Sequence, residues 1–247
     1  MSATPTELVP RPPRGRVFEG ARRVRLGDVS PAGRLRLDAA TRYLQDLSAD
    51  DTADSALPDA EAWVVRRTVL EVRSFPRYLE PLALATWCSG TGSHWAERRV
   101  SMVGEGGGRV DGATIWVHMD LTSGRPSRIP AGFEEIYGEA RGGRTVKARL
   151  QHPDPPVDAA ARPWPLRFTD FDVLEHVNNA AYWEAVEELL AARRDLRAPL
   201  RAEVEHRGAV EQGADVVLLH ADTSDGGLDA WLVADGAVAA TARLHPL

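Results

Sequence analysis

Apolar residues recur along this chain with two periods, and the order of those periods comes twice. Residues 22–29, RRVRLGDV, have the alternating, β-branched look of a strand. LDAATRYLQDLSADD follows, with Ala39, Ala40, Tyr43, Leu44 and Leu47 at helical spacing. AWVVRRTVLEVRSF (62–75) reads as a strand, PRYLEP reverses the chain, and LALATWCSG reads as the next strand. HWAERRVSMV and RVDGATIWVHMDL form a predicted hairpin across GEGGG (104–108). That glycine run lacks the lysine and the strand–helix context of a phosphate loop.

Residues 138–165 change character: glycine, proline and alanine accumulate without a period, as in a linker. The pattern then restarts. PLRFTDFD is a strand-like entry, and NNAAYWEAVEELLAARR reads as a helix with Ala181, Val186, Leu189 and Leu190 on or near one face. RAEVEHRGAV, ADVVLLHAD, LDAWLVAD and GAVAATARLH are four strand-like runs. VLEVRSFPRYLEPLAL echoes AEVEHRGAVEQGADVVL, and GRVDGAT echoes GAVAAT, which suggests duplication of one supersecondary unit. A long helix followed by short antiparallel strands, used twice, is an α+β layout. The expected division is a disordered lead-in over 1–21, one repeat over 22–137, a linker over 138–163 and a second repeat over 164–247.

Composition changes this picture little. The chain has 247 residues, is 43% hydrophobic and 27% charged, and carries a net charge of −6. The apolar content supports a sizeable core, and the negative balance argues against a general nucleic-acid binder. Lys147 is the only lysine. Cys88 is the only cysteine and lies in an apolar run, so it reads as a buried, inert thiol in a reducing cytoplasm. The lead-in has no apolar signal region, and no run approaches the ~20 apolar residues of a membrane span. The histidines other than His176 are scattered without metal-ligand spacing, so no metal is expected.

The stretch DFDVLEHVNNAAYW (170–183) carries the candidate chemistry. A histidine has an ordinary pKa near ~6.5 and exchanges protons at neutral pH, whereas an aspartate, near ~3.9, is ionised there. Asp172 and His176 are therefore the candidate reactive pair. Asn178 or Asn179 suits a helix N-cap, and the entry at Asn178, Asn179 and Ala180 offers free N–H groups to a developing negative charge. Asp170 reads as a structural turn residue.

These residues resemble the signature of hot-dog-fold thioesterases, and specifically of the acyl-ACP thioesterase family, which carries two hot-dog repeats in one chain. AWVVRRTVLEVRSFPRYLEPLALATWCSG and RVDGATIWVHMDLTSGRPSRIP resemble that family's first-half stretches. The resemblance implies two tandem hot-dog folds, each a long helix wrapped by an antiparallel sheet. It implies hydrolysis of an acyl thioester of acyl carrier protein (ACP) or coenzyme A (CoA), without cofactor or membrane, by a monomeric double hot-dog or a homodimer. It makes Asp172 the nucleophile or base and His176 its assistant, with an acyl pocket largely in the first repeat, where Trp63, Trp87 and Trp116 are candidate lining residues. Basic runs at Arg22, Arg23 and Arg25, and at Arg141, Arg144, Lys147 and Arg149, are candidate docking sites for the acidic carrier.

The sequence also departs from the family pattern. Leu174 stands where relatives carry asparagine, and Ala209 and Val210 align with a Glu–Cys pair. Glu205 or Glu211 substitutes only if the register is shifted, and Glu205 is held as the weak candidate. Two alternatives follow: an acyl-thioester binder that has lost hydrolysis, or a hot-dog hydratase or dehydratase, whose characteristic stretch is missing.

Overall fold

The computed structural model describes residues 7–57, 63–120 and 122–247. Strand β1 (Phe18–Arg23) and a 3-10 turn at Leu26–Asp28 lead into helix α1 (Leu37–Ser55). Strands β2 (Trp63–Ser74), β3 (Pro81–Thr91), β4 (Trp95–Gly104) and β5 (Arg109–Asp120) follow, then the short β6 (Arg125–Pro126) and helix α2 (Phe133–Arg141). The order then repeats: β7 (Ala160–Pro163), a 3-10 turn at Phe168–Asp170, helix α3 (Ala181–Ala192), and strands β8 (Leu200–His206), β9 (Val216–Asp222), β10 (Leu228–Ala234) and β11 (Ala237–Pro246). One antiparallel path runs β1-β3-β4-β5-β2-β8-β11-β10-β9-β7, with β6 paired to β5. This is the expected tandem arrangement of helix and antiparallel sheet.

Each helix exists because the sheet takes its apolar face. On α1, Leu37, Ala40, Leu44 and Leu47 are buried, a helical stripe worth about 1.5–3 kcal/mol for each leucine. Two glycines let α1 sit close to the sheet. A Cβ on Gly20 would meet Leu47 Cδ1 at 2.9 Å, and one on Gly112 would meet Leu44 Cδ2 at 2.8 Å. On the same helix, Thr41 and Ser48 donate their hydroxyls to the carbonyls of Leu37 and Leu44, so buried polar positions stay satisfied. On α3, Tyr182, Trp183, Ala185, Val186, Leu189 and Leu190 turn inward, and both helices share one core.

The halves are related by a pseudo-twofold axis, visible in two layers. In the β2–β8 ladder Arg67 pairs with Glu205 and Glu71 with Arg201, symmetrically about Val69 and Glu203. Both strands therefore read Arg-x-x-x-Glu across the axis. In the helix layer, one sequence offset carries Arg25 and Asp28 onto Arg167 and Asp170, which cap matching 3-10 turns. The same offset carries Arg42 of α1 onto Glu184 of α3, and these two face each other at 4.0 Å. A pair that maps onto itself lies on the axis.

Several elements differ from the sequence reading. The strand expected over 22–29 begins at Phe18 and stops at Arg23, and PLRFTDFD holds a 3-10 turn. In both places an Arg-x-x-Asp turn overrides alternation, because the aspartate accepts the arginine's own N–H. The lead-in is packed rather than disordered from residue 9: Arg99 donates to the Val9 carbonyl, and Arg16 pairs with Asp51 and Asp54. Its arginines find carboxylates that composition does not reveal. The linker begins inside α2 and ends in β7, which pairs with β9. Residues 1–6 of the lead-in, and Ala62 and Leu121 at the ends of two expected strands, lie outside the described residues.

Asp51 ties the end of α1 to its surroundings. It is 1% exposed and accepts from Arg98, from Arg16 Nε at 2.7 Å and from the Tyr137 hydroxyl at 3.1 Å. Asp51→Ala leaves Arg98 buried without its carboxylate, so a loss of about 3–5 kcal/mol is expected in urea unfolding. A loss under about 1 kcal/mol would show that this cluster does not anchor α1.

Candidate active site

The loop that precedes α3 is closed by its own backbone. Phe171 and Val177 form an antiparallel bridge. The N–H of Asp172 bonds the His176 carbonyl at 2.9 Å, and the N–H of Glu175 bonds the Asp172 carbonyl at 3.0 Å. Glu175 at the tip has φ 61°, a left-handed conformation that is uncommon outside glycine and concentrates at functional loops. Asp172 Oδ1 accepts the N–H of Leu174 at 2.9 Å, which fixes the carboxylate at the loop mouth. The N–H of Val177 bonds the Val210 carbonyl, and His176 bridges Glu211. Residues directly opposite in such a bridge send side chains to the same face, with Cβ atoms about 4.5–5.5 Å apart. Asp172, His176 and Glu211 thus converge on one small surface.

The helix entry lies just beyond. Asn178 donates its N–H to the Asp170 carbonyl at 2.7 Å, and its Oδ1 accepts the N–H of Ala180 at 2.9 Å. Asn178 is therefore the capping side chain, and Ala180, expected as an oxyanion donor, has its N–H occupied. Asn179 keeps an N–H without a protein acceptor among the described residues, at the positive end of the α3 dipole.

The first repeat holds the same loop with different chemistry. The offset that carries Arg25 to Arg167 carries Ser30 to Asp172, Arg34 to His176 and Leu37 to Asn179. Val29 bridges Leu35, the N–H of Ser30 bonds the Arg34 carbonyl at 2.8 Å, and Arg34 bridges Arg77, the counterpart of Glu211. Here the helix N-terminus is filled. Glu187 accepts the N–H of Leu37 at 3.1 Å and pairs with Arg34 at 2.6 Å. This loop borders a groove of about 760 Å³ lined by Arg34, Arg36, Arg73, Arg77, Arg194 and Arg197. Carboxylate and imidazole occur together with an open N–H only in the second repeat.

An apolar cavity of about 470 Å³ lies between α1 and the first repeat's sheet, lined by Ala49, Ala53, Trp63, Cys88, Trp116 and Phe133. Its size falls within the ~300–1,000 Å³ of ligand pockets. Trp87 is elsewhere, under the Arg99 guanidinium at 5.5 Å. Burial pushes the Cys88 thiol up to about 11, so it is no nucleophile at neutral pH. The β2–β8 pairing places the Trp63 end of β2 at the same end of the sheet as the residues that follow His206.

Behind the loop, Tyr182 packs edge-on against His206 at 4.8 Å. Burial, and then the charge of Asp172, raise the Tyr182 phenol above its ordinary range. Burial, helped by Arg66, holds His206 down to about 4, and its Nε2 has no partner. Sequence reasoning missed both residues, because Tyr182 read as part of a motif and His206 as one of the scattered histidines.

Glu205 is not part of the site. It is 0% exposed, and its carboxylate accepts the N–H groups of Gln151 and His152, clamping the connecting segment. Strand alternation turns it to the face opposite His206. The residue beside His176 is Glu211, while Val210 is buried in the core. Among the described residues, His152, Glu203 and Glu205 bring donor atoms within 4.8 Å of one another, but Arg67 and Arg201 stand 3.6 and 3.8 Å from Glu203 and already supply the positive charge. The two basic runs are also partly neutralised: Arg22 pairs with Asp46, Arg141 with Glu134 and Arg144 with Glu97.

His206 makes stability pH-dependent. Its folded pKa is depressed from an unfolded ~6.5, so its neutral form suits the fold above that value and stability is lost as pH falls from about 6.5 to 4. His206→Phe should flatten this slope by up to about 3 kcal/mol when urea midpoints are compared at pH 7 and 4.5. An unchanged slope would mean that another buried group, such as His152, which burial also holds down to about 4, carries the pH dependence.

Comparison with known proteins agrees with this geometry. The acyl-ACP thioesterase N-terminal domain matches residues 15–137, and the acyl-ACP thioesterase C-terminal domain matches residues 155–243. Uncharacterised proteins from two Mycobacterium tuberculosis strains are each 32% identical over 219 residues, 88% of this chain and 88% of theirs. A putative oleoyl thioesterase from Lactobacillus plantarum superposes with TM-score 0.77 at 20% identity, covering 93% of this chain and 94% of its own. The 12:0-ACP thioesterase from Umbellularia californica superposes with TM-score 0.77 at 19% identity, covering 94% and 97%. Two family domains in tandem, over two repeats of which the second carries the acid–imidazole loop, make this chain a member of the acyl-ACP thioesterase family and a thioester hydrolase.

Proposed function

We propose that the protein hydrolyses fatty acyl thioesters of ACP or CoA to free fatty acid and thiol, acting in the cytoplasm. The observation that carries this reading is the second-repeat loop, where Asp172, His176 and Glu211 share one face and the next helix start leaves the Asn179 N–H without a protein acceptor among the described residues. The apolar cavity along α1 suits an acyl chain. Among the described residues, no helix is long and apolar enough to cross a bilayer.

In this mechanism the thioester carbonyl lies at the start of α3, with its oxygen on the N–H of Asn179 and the positive end of the helix dipole. Asp172 takes a proton from a water molecule as the water oxygen bonds to the carbonyl carbon. The tetrahedral oxyanion collapses, the C–S bond breaks, and the proton passes to the leaving sulfur directly or through His176. Glu211, opposite His176 in the bridge, orients its imidazole. Leu174, 54% exposed, offers no polar group at this loop, so the carboxylate, imidazole and Glu211 carry the chemistry.

The reading that hydrolysis has been lost rests on Leu174, Ala209 and Val210. Glu211, beside His176, supplies the polar side chain which that reading takes to be missing.

Thiol release from acyl-CoA and acyl-ACP substrates of two to eighteen carbons tests the proposal. Asp172→Ala and His176→Ala should each lower kcat by about 10²–10⁴-fold, and Glu211→Gln by less. Binding without turnover by the unmodified protein would establish an acyl binder instead.

A further inference from the structure

We propose that Gln45 on α1 is a catalytic residue, its side-chain amide donating to the thioester carbonyl oxygen beside the N–H of Asn179. This rests on the hydrolase mechanism above and names a second donor for its oxyanion.

The pseudo-twofold axis supplies the geometry. The offset that carries Leu37 to Asn179 and Arg34 to His176 also carries Gln45 to Glu187. Arg42 and Glu184 map onto each other and face each other at 4.0 Å, which fixes the axis between the two helices. Glu187 reaches across that axis to the N–H of Leu37 at 3.1 Å and to Arg34 at 2.6 Å. The symmetry-related residue, Gln45, therefore reaches toward the N–H of Asn179 and toward His176.

A second observation agrees. Gln45 lines the apolar cavity together with Ser48 and Ala49, and the counterparts of these three, Glu187, Leu190 and Ala191, line the arginine groove of the first repeat. The same helix face thus borders both places. Gln45 is half-buried and has no hydrogen-bond partner among the described residues.

The exchange of Glu for Gln matters chemically. A carboxylate at a helix N-terminus occupies the N–H groups and repels a second negative charge, as Glu187 does in the first repeat. A neutral amide carries two N–H donors and no charge. It supports an oxyanion and leaves the helix dipole available.

The full chain is assayed on the acyl-CoA that it turns over best, alongside Gln45→Leu and Gln45→Glu. Donation predicts kcat lower by about 10²–10³-fold in Gln45→Leu, with KM within about threefold and an unchanged unfolding midpoint. Gln45→Glu should be at least as slow, because its carboxylate takes the place that Glu187 takes in the other repeat. If Gln45→Leu does not fold, Gln45→Met, similar in length and without a donor, gives the same reading. An unchanged kcat, or a change confined to KM and chain-length preference, makes Gln45 a cavity wall and overturns the proposal. Failure of the hydrolase reading looks different: the unmodified protein then releases no thiol from any substrate, and the Gln45 assignment falls with it.

Discussion

The antiparallel ladder between β2 and β8 joins two five-stranded sheets into one, and the spatial relation of the two repeats follows from its register. A slip of one residue would turn every side chain on one strand to the wrong face. A slip of two would keep the faces but break the Arg-x-x-x-Glu match, in which Glu71 and Arg201 lie 2.8 Å apart. With the ladder fixed, α1 and α3 must cross at Arg42 and Glu184. Glu187 of α3 then lies against the N-terminus of α1, and the pseudo-twofold axis relates Gln45 of α1 to it.

That mutual arrangement divides the work between two loops of one backbone design. Bridges and turn hydrogen bonds recur pair by pair, but the side chains do not. In the first repeat, Gly33 takes the left-handed tip, Ser30 replaces the aspartate, Arg34 and Arg77 replace the imidazole and the glutamate beside it, and Glu187 fills the helix end. In the second, Glu175 holds the same tip conformation with φ 61°, and the helix end is open. One loop is thus an ion-paired strut beside an arginine groove, and the other keeps an open helix end. Burial supports the second loop from behind, since Tyr182 and His206 are both held neutral against it.

The measurements proposed on Asp51, His206, Asp172 and Gln45 differ in how far the residue could be read from sequence. Asp172 and His176 were legible as candidates, because an acidic turn, a histidine and paired asparagines before an apolar helix form a local pattern. Glu211 was not, because its partner lies on a distant loop and a shift of one or two positions decides whether Ala209, Val210 or Glu211 faces the histidine. Glu205 looked suitable by type, yet the ladder turns it inward to hold the backbone of Gln151 and His152. Gln45 carried no signal at all, since its meaning lies in the residue it matches across the axis.

Periodicity by itself determined the two long helices, the four strands after each and their repetition, because the spacing of apolar side chains is a local property. It also placed the candidate pair, Asp172 and His176, just before a helix start, because capping and turn residues act within a few positions. It misread the Arg-x-x-Asp turns and the packed N-terminal segment, where hydrogen bonds and ion pairs override alternation. Only the tertiary structure decided which N–H stays open, which glutamate stands beside His176 and which helix face closes the cavity. Those outcomes depend on contacts between elements far apart in the chain, and a register set by many weak pairings has no local signature.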